Sequence, residues 1–236
     1  MHYRECFGDE QIVEFMVKLD NLFSISWLLG RRQSLTRSFI IIRKIDFFAE
    51  LVKKTELTVA EAASDFLSDA CLRYDFFDEE VSSEKPIYIE DLRESLNTEK
   101  WGNFSGTKIN KTRYLLLKMD LLMSNPLTIL QYNKNSSSVE HLMPQKIEAT
   151  DWNIELSKHK EWVHRIGNLS LIDKNKNASL SNKLFGEKKV KYQGAIETRA
   201  NTNYIFISHP CWDIDSIVAN QERSIDLLMQ YYQGNS

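Results

Sequence analysis

Apolar residues recur at helical spacing through most of the first hundred residues of this 236-residue chain. Residues three and four positions apart lie on one face of an α-helix, so the pattern predicts amphipathic helices there rather than strands. The first stripe comprises Ile12, Phe15, Met16, Leu19, Leu22 and Phe23, and the second Ile41, Ile45, Phe48 and Val52. Thr58 precedes Glu61 by three residues, which is a capping-box pattern and predicts the start of a further helix.

The second half of the chain mixes helical and extended patterns. Helices are predicted over residues 89–96, 109–123, about 180–192 and about 215–232. Short strands are predicted over residues 127–132, 137–142 and 169–172, with a hairpin turn at 133–136. The fold class that follows is mainly α (α+β), with a helical N-terminal region and a small β-β-α core embedded in helices.

The loop at residues 101–106 carries two glycines and two polar residues, so we place the domain boundary there. This predicts a helical region over residues 1–105 and a second domain over 106–236. No apolar run approaches the roughly 18 residues that a membrane helix needs, and the N-terminus lacks the apolar core of a signal peptide. We therefore expect a cytoplasmic protein without membrane contact.

The three cysteines and the charge distribution limit the classes of function. The cysteines are far apart and form no CxxC pair, so neither a zinc knuckle nor a disulfide framework is expected. The net charge is only −3, but residues 44–100 hold 7 basic and 15 acidic side chains, whereas residues 164–199 hold 8 basic and 3 acidic ones. A polyanion is drawn to the second segment. On charge alone, a solvated lysine face is the favoured interpretation.

A strand that delivers adjacent Glu140 and His141, and then stops at Pro144, is the first chemically informative feature. Side chains alternate along a strand, so the two point to opposite sides unless a bulge or the strand end brings them together. A Glu-His pair is weak evidence by itself, because a single histidine on a strand is more often a hydrogen-bonded structural residue.

Later segments strengthen a functional interpretation. Gly167-Asn168-Leu169 opens a strand, an asparagine-rich loop follows, and a lysine-rich helix comes next. A strand-borne histidine followed by strand, loop and helix gives a β-β-α plan. Such a plan can gather a base, a metal ion and lysines around one phosphate.

These segments together resemble the C-terminal domain of GmrSD-type modification-dependent restriction endonucleases, a branch of the HNH (His-Me finger) nucleases. The resemblance covers about residues 110–232, and each motif is weak singly, but their order and spacing are specific. The matching residues are Glu140-His141…Pro144-Gln145, Gly167-Asn168-Leu169…Leu171, Ser181-Asn182…Phe185…Lys188-Lys189…Tyr192 and Trp212…Ile217. Asn220 stands where the family usually has an arginine, with Arg223 one turn later.

The resemblance implies a role for each candidate site residue. His141 would be the general base, and Glu140 and Asn182 would bind a divalent cation, Mg²⁺ in the first instance and Mn²⁺ as an alternative. Asn175 would be the middle asparagine that ties the loop near His141, with Asn177 competing for that role. On spacing alone Asn182 is equally a helix N-cap. The DNA-binding residues would be Lys174, Lys176, Lys183, Lys188 and Lys189, although a solvated face is an equal alternative for the last two.

The implied function is metal-dependent hydrolysis of DNA, in restriction of foreign or modified DNA and in phage defence. Full-length relatives usually begin with a nucleotide-binding, modification-sensing domain that carries an Asp-Gly-Gln-Gln-Arg motif, and no such motif occurs here. We therefore expect a fragment or a short natural version, with the sensing domain or subunit as a partner. Two alternatives stay open: a catalytically silent DNA- or protein-binding module with the nuclease fold, and an all-helical interaction protein.

Overall fold

The computed structural model of the chain divides into two compact units. One comprises Met1–Leu92 with Tyr232–Ser236, and the other comprises Arg93–Tyr231. The structure describes residues 1–31, 35–75, 87–124, 137–147, 152–174, 183–193 and 199–234. The described part is mainly helical and contains a two-stranded antiparallel sheet, so the predicted mainly α (α+β) class is confirmed. The boundary that we predicted between residues 105 and 106 falls inside the second unit.

Among the described helices of the first unit, two follow the predicted apolar stripes, and the N-terminal helix was not predicted. These helices are α1 (His2–Phe7), α2 (Ile12–Leu28), α3 (Leu35–Lys53) and α4 (Val59–Leu67). The predicted capping box is present at α4, where the backbone N–H of Glu61 donates to Thr58 Oγ1 at 3.2 Å. The backbone N–H of Thr58 donates in return to Glu61 Oε2 at 2.8 Å. Each bond satisfies a donor that the start of a helix would otherwise leave unpaired.

Aromatic side chains fill the core of this first unit. Tyr3 stacks on Phe15 with ring centroids 4.2 Å apart, and Phe66, which is fully buried, contacts both of them and Phe7. Such ring pairs stabilise the fold beyond the area that they bury, by about 0.5–1.5 kcal/mol each. The short N-terminal helix is therefore part of the core rather than a loose end.

The second unit surrounds a small sheet with helices. Its helices are α5 (Ile89–Thr98), which begins in the first unit, α6 (Lys108–Met123), α7 (Leu156–Trp162), α8 (Phe185–Gln193), α9 (Ala200–Ser208) and α10 (Ile214–Gly234). Its strands are β1 (Ser137–His141) and β2 (Leu169–Asp173), which pair antiparallel. The register sets Glu140 opposite Ser170 and His141 opposite Leu169. A 3₁₀ turn, Ile166–Asn168, leads directly into β2.

Three described helices of the second unit differ from the sequence prediction. We did not predict α7, in which only Leu156 and Trp162 are apolar, or α9, whose apolar and polar residues do not separate onto two faces. Helix α8 begins at Phe185, later than predicted, and residues 183 and 184 are not helical. The predicted strand 127–132 and the turn 133–136 lie outside the described residues. Within the described ranges, no helix combines the length and apolar character that crossing a membrane requires.

Helix α10 packs against the 3₁₀ turn so closely that only glycine fits at residue 167. A Cβ added to Gly167 would lie 2.6 Å from the carbonyl oxygen of Ile217 and 2.7 Å from the backbone nitrogen of Gln221. Two side chains of α10 reinforce this contact. The backbone N–H of Gly167 donates to Gln221 Oε1 at 2.6 Å, and Asn220 Nδ2 donates to the Gly167 carbonyl at 2.7 Å. Asn220, which departs from the family pattern, is thus a buried structural residue.

We expect Gly167→Ala to lower the free energy of unfolding by about 1–3 kcal/mol, because the methyl group would force two backbone segments apart. Gly186→Ala is the matched control. A Cβ there meets nothing within 4 Å, and alanine raises helix propensity by up to about 1 kcal/mol. Urea unfolding of both variants measures the difference. Equal stability of the two variants would contradict the packing described for Gly167.

Candidate active site

The side chain of Asn168 holds the end of β1 in place. Its Oδ1 accepts from the backbone N–H of Met143 at 2.7 Å and from Trp212 Nε1 at 3.0 Å. Its Nδ2 donates to the carbonyls of Met143 at 2.9 Å and Val163 at 2.8 Å. All four hydrogen-bonding positions of a fully buried amide are therefore used. These contacts give Asn168 a structural role.

His141 is the last residue of β1, and its imidazole is 5 % exposed. Its Nε2 lies 3.2 Å from Nδ1 of His164, and its Nδ1 lies 3.3 Å from Nε2 of Gln145. Both ring nitrogens thus have side-chain partners. A third histidine, His159, is also buried. Its Nε2 hydrogen-bonds to the carbonyl of Pro144 at 2.8 Å, so its role is structural.

The loop that we predicted as the domain boundary lies against these histidines. The backbone N–H of Gly102 donates to the carbonyl of His164 at 2.8 Å. A Cβ on Gly102 would lie 2.5 Å from His141 Nε2 and 3.1 Å from His164 Nδ1, so the site requires glycine there. The ring of Phe104, which is 36 % exposed, stands 5.4 Å from the ring of His141. The loop is therefore a wall of the site.

The surroundings keep His141 neutral. Burial, followed by the neighbouring His164 and Lys188, lowers the pKa of His141 from 6.5 to about 3. Burial also lowers the pKa of His164, and the charge of Lys100 contributes to that shift. At neutral pH both imidazoles are thus uncharged, and each carries one proton and one lone pair.

Glu140 has a different partner from its neighbour in the chain. Its Oε1 accepts from Lys188 Nζ at 2.5 Å, and the same ammonium donates to the carbonyls of His141 at 2.9 Å and Leu142 at 3.1 Å. Both side chains are buried, and Lys188 is fully so. Burial raises the pKa of Glu140 and lowers that of Lys188, while their mutual attraction opposes both shifts. The pair fastens α8 to the end of β1.

The phosphate contact that we predicted for Lys188 is wrong, because its ammonium is bonded inside the protein. A side chain with no exposed surface, whose three donors meet three oxygens, has nothing to offer a phosphate. The ion pair also bears on the predicted metal site. The carboxylate expected to bind a divalent cation is neutralised by an ammonium of the chain, and Asn182, the other expected ligand, lies outside the described residues. Among the described residues, Glu140 is therefore paired with Lys188 rather than free to bind a divalent cation.

The remaining predicted site residues are only partly described. Lys174 is exposed, Lys183 is half-buried, and Lys189 is half-buried with its Nζ donating to the carbonyl of His209 at 2.9 Å. Asn175, Asn177 and Lys176, like Asn182, lie outside the described residues. Their predicted roles therefore stay predictions.

Sequence reasoning missed most of the immediate neighbours of His141. Gly102 and Phe104 were assigned to a linker, and Gln145 was noted only as part of a motif. The sequence patterns do not distinguish His164 from a structural histidine. The available signal was a glycine between two aromatic residues, at positions 101 and 104, since a glycine beside bulky side chains can mark a close approach.

The comparisons with known proteins place the chain in a class of nucleases. The family described as the C-terminal domain of GmrSD restriction endonucleases matches residues 84–226. The chain therefore belongs to this family of restriction endonuclease domains, as the resemblance predicted. No curated protein and no solved structure matches the chain. The match begins upstream of the loop that lines the site, so residues 101–104 lie within the family domain.

We expect the buried neutral histidine to make stability depend on pH. Unfolding returns the pKa of His141 to about 6.5, so below that value the unfolded chain binds a proton that the folded chain does not, and stability falls as pH falls. Between pH 6.5 and about 3 the slope from this group approaches about 1.4 kcal/mol per pH unit. His141→Gln should show a shallower loss of unfolding free energy than the unaltered chain in urea titrations at several pH values. Parallel curves for the two proteins would be inconsistent with a buried neutral imidazole.

We expect Lys188→Met to cost about 3–5 kcal/mol of unfolding free energy, because it leaves the buried Glu140 carboxylate unpaired. The double variant Glu140→Gln, Lys188→Met should recover part of that loss, since neither charge remains. Lys189→Met, the adjacent half-buried lysine, is the control and should cost much less. Denaturant unfolding of the unaltered chain, Lys188→Met, Glu140→Gln, the double variant and the control measures the coupling, and additive losses in the double variant would argue against the pair.

Proposed function

We propose that residues 93–231 form an HNH-type DNA endonuclease domain in which His141 is the general base. Membership of the restriction endonuclease family supports nuclease activity. The single observation that carries the residue assignment is the site at the end of β1, where a neutral imidazole is held by His164 and Gln145 beside the glycine of a close-packed loop. A lone histidine satisfied by one backbone carbonyl, as at His159, would support no such role.

The proposed chemistry requires one proton acceptor beside a water molecule and a phosphodiester. The water oxygen forms a bond to phosphorus, the bond from phosphorus to the leaving sugar oxygen breaks, and His141 takes the proton that the water loses. A neutral imidazole can accept that proton, whereas an imidazolium cannot. The negative charge of the bound phosphate favours the imidazolium that forms, because an opposite charge nearby raises the pKa of a base.

A divalent cation, Mg²⁺ first and Mn²⁺ second, is part of the proposal through the family resemblance. Such an ion stabilises charge on the phosphate and on the leaving oxygen. Glu140 and Asn182 remain the proposed ligands, with Asn175 as the asparagine that ties the loop. Because Lys188 holds Glu140, we assign the ion no step, and binding at this position requires the ammonium to give way.

The DNA surface and the biological setting follow from the same resemblance. Among the lysines proposed to bind DNA, Lys174 is exposed and Lys183 and Lys189 are half-buried, and Lys176 is proposed beside them. Phosphate contacts of this kind orient a duplex without reading its bases. We place the activity in the cytoplasm, in restriction of foreign or modified DNA and in phage defence. A nucleotide-binding, modification-sensing domain or subunit is the proposed partner.

Cleavage of supercoiled plasmid tests the proposal. The unaltered chain should nick plasmid in the presence of Mg²⁺ or Mn²⁺, and a chelator should abolish nicking. His141→Ala should lower the nicking rate by about 10²–10⁴-fold, which is the usual contribution of a general base. Thermal unfolding of the variant is measured alongside, so that loss of the fold is told apart from loss of the base. Modified and unmodified plasmids are compared in parallel.

His2→Ala is the matched control, because His2 is a half-exposed histidine of the first unit and should leave the rate unchanged. A folded His141→Ala protein that nicks as fast as the unaltered chain would rule out the base assignment. Nicking that persists in the chelator would instead rule out the cation and leave the base in place.

The ion pair at Glu140 favours a second candidate function, a DNA-binding module that retains the nuclease fold without cleavage. In a domain that no longer binds a metal ion, the former ligand carboxylate would be paired with a cation of the chain, as Glu140 is with Lys188. This candidate expects salt-sensitive DNA binding that weakens when Lys174 and Lys183 are replaced by glutamine. It also expects no nicking with any divalent ion tested.

A further inference from the structure

His164 is the second histidine of the site, and its ring meets that of His141 edge to face. The ring centroids are 5.2 Å apart and the ring planes are inclined at 83°. The nearest atoms are His141 Nε2 and His164 Nδ1, at 3.2 Å. Within this contact one nitrogen donates and the other accepts, so it depends on which proton each neutral ring carries, and the backbone of Gly102 is a further hydrogen-bond partner of both rings.

The backbone around His164 is fixed on both sides. Its own carbonyl accepts from the N–H of Gly102 at 2.8 Å, and the carbonyl of the preceding Val163 accepts from Asn168 Nδ2 at 2.8 Å. Asn168 also binds Met143, two residues after His141. The same buried amide thus positions the two backbone segments that carry the histidines, and this places their side chains in contact.

The packing of Gly102 shows how little space surrounds the histidine contact. A Cβ at that position would lie 2.5 Å from His141 Nε2 and 3.1 Å from His164 Nδ1, the two atoms that approach each other. Any side chain other than hydrogen would press on the contact itself. The loop, the turn before β2 and the end of β1 therefore converge on this one pair of nitrogens.

The hydrogen bond on the other side of His141 determines the direction. The partner of His141 Nδ1 is Nε2 of Gln145, an amide nitrogen that can donate but cannot accept. Nδ1 of His141 must then be the acceptor, so the single proton of the neutral ring is on Nε2. That proton is donated to Nδ1 of His164, which must be unprotonated and must carry its own proton on its Nε2.

We propose that His164 is a positioning residue, which holds His141 as the Nε2–H tautomer and so leaves the Nδ1 lone pair as the base. The proposal rests on the proposed function in one respect, that this lone pair acts on water. The amide of Gln145 donates to Nδ1 from the side on which the attacking water would donate. The amide of Gln145 thus occupies the lone pair of Nδ1, and during catalysis a water molecule replaces it there.

Two replacements of His164 separate this role from simple packing. The side-chain oxygen of asparagine branches from Cγ, as Nδ1 of histidine does, so His164→Asn can accept from His141 Nε2–H. Glutamine is one carbon longer and reaches the position of the histidine Nε2 instead, so His164→Gln of similar bulk cannot make the same bond. His164→Ala removes the acceptor altogether.

Long-range ¹H–¹⁵N NMR of the free, uncleaving protein reads the tautomers directly. In the unaltered chain near neutral pH we expect the protonated nitrogen of His141, and that of His164, to be Nε2. His164→Asn should preserve that state, whereas His164→Gln and His164→Ala should give a mixture of tautomers at His141. A His141 ring protonated on Nδ1 in the unaltered chain would overturn the proposal, as would an unchanged Nε2–H state in His164→Ala.

Steady-state cleavage gives the second measurement. We expect kcat to fall about 10- to 100-fold in His164→Gln and His164→Ala, with KM little changed, and to be restored in His164→Asn, since tautomer-fixing partners commonly contribute that much. Thermal unfolding confirms that each variant is folded. A folded His164→Ala protein with unaltered kcat would overturn the proposal. If the unaltered chain cleaves no DNA, the proposed function fails, and the NMR comparison still decides the role of His164.

Discussion

The hydrogen bonds of Asn168 are the interaction on which the rest of the second unit depends. One buried amide joins the segment after β1, the turn before β2 and the indole of Trp212, and no part of its bonding capacity is left over. A buried polar group that loses its partner costs about 1–3 kcal/mol, so the arrangement is favourable only when all segments are in place. The convergence of the histidines is a consequence of that requirement.

Much of this fold follows from local pattern. The stripes of α2 and α3, the capping box of α4 and the strand that ends at His141 are all signals carried by neighbouring residues, and each is confirmed. Helix α7 was not foreseen because it is short and has only two apolar residues, Leu156 and Trp162, so it carries no apolar stripe. The loop at 101–106 was predicted as a boundary because glycine suggests flexibility, although here it allows close packing.

Lys188 illustrates why the candidate site could be predicted only in part. A lysine in a lysine-rich helix is usually solvated, and nothing in its neighbours along the chain reveals a carboxylate 48 residues away. The family motif marks the position without giving the reason for it. Burial of the pair places a fixed positive charge beside the backbone of His141, and this charge contributes to the lowered pKa of the imidazole. An ion pair between residues so far apart in the chain is recognisable only in the folded structure.

The packing of Gly102 has a practical consequence for protein engineering. A nuclease fragment or a chimera that begins at residue 106 would lack Gly102 and Phe104, the wall of the site beside His141, and would leave the imidazole open to solvent. The smallest transplantable unit has to begin upstream of Trp101, which is itself almost fully buried. Fusion points are therefore better chosen on the far side of α5 than at the stretch of sequence that most resembles a linker.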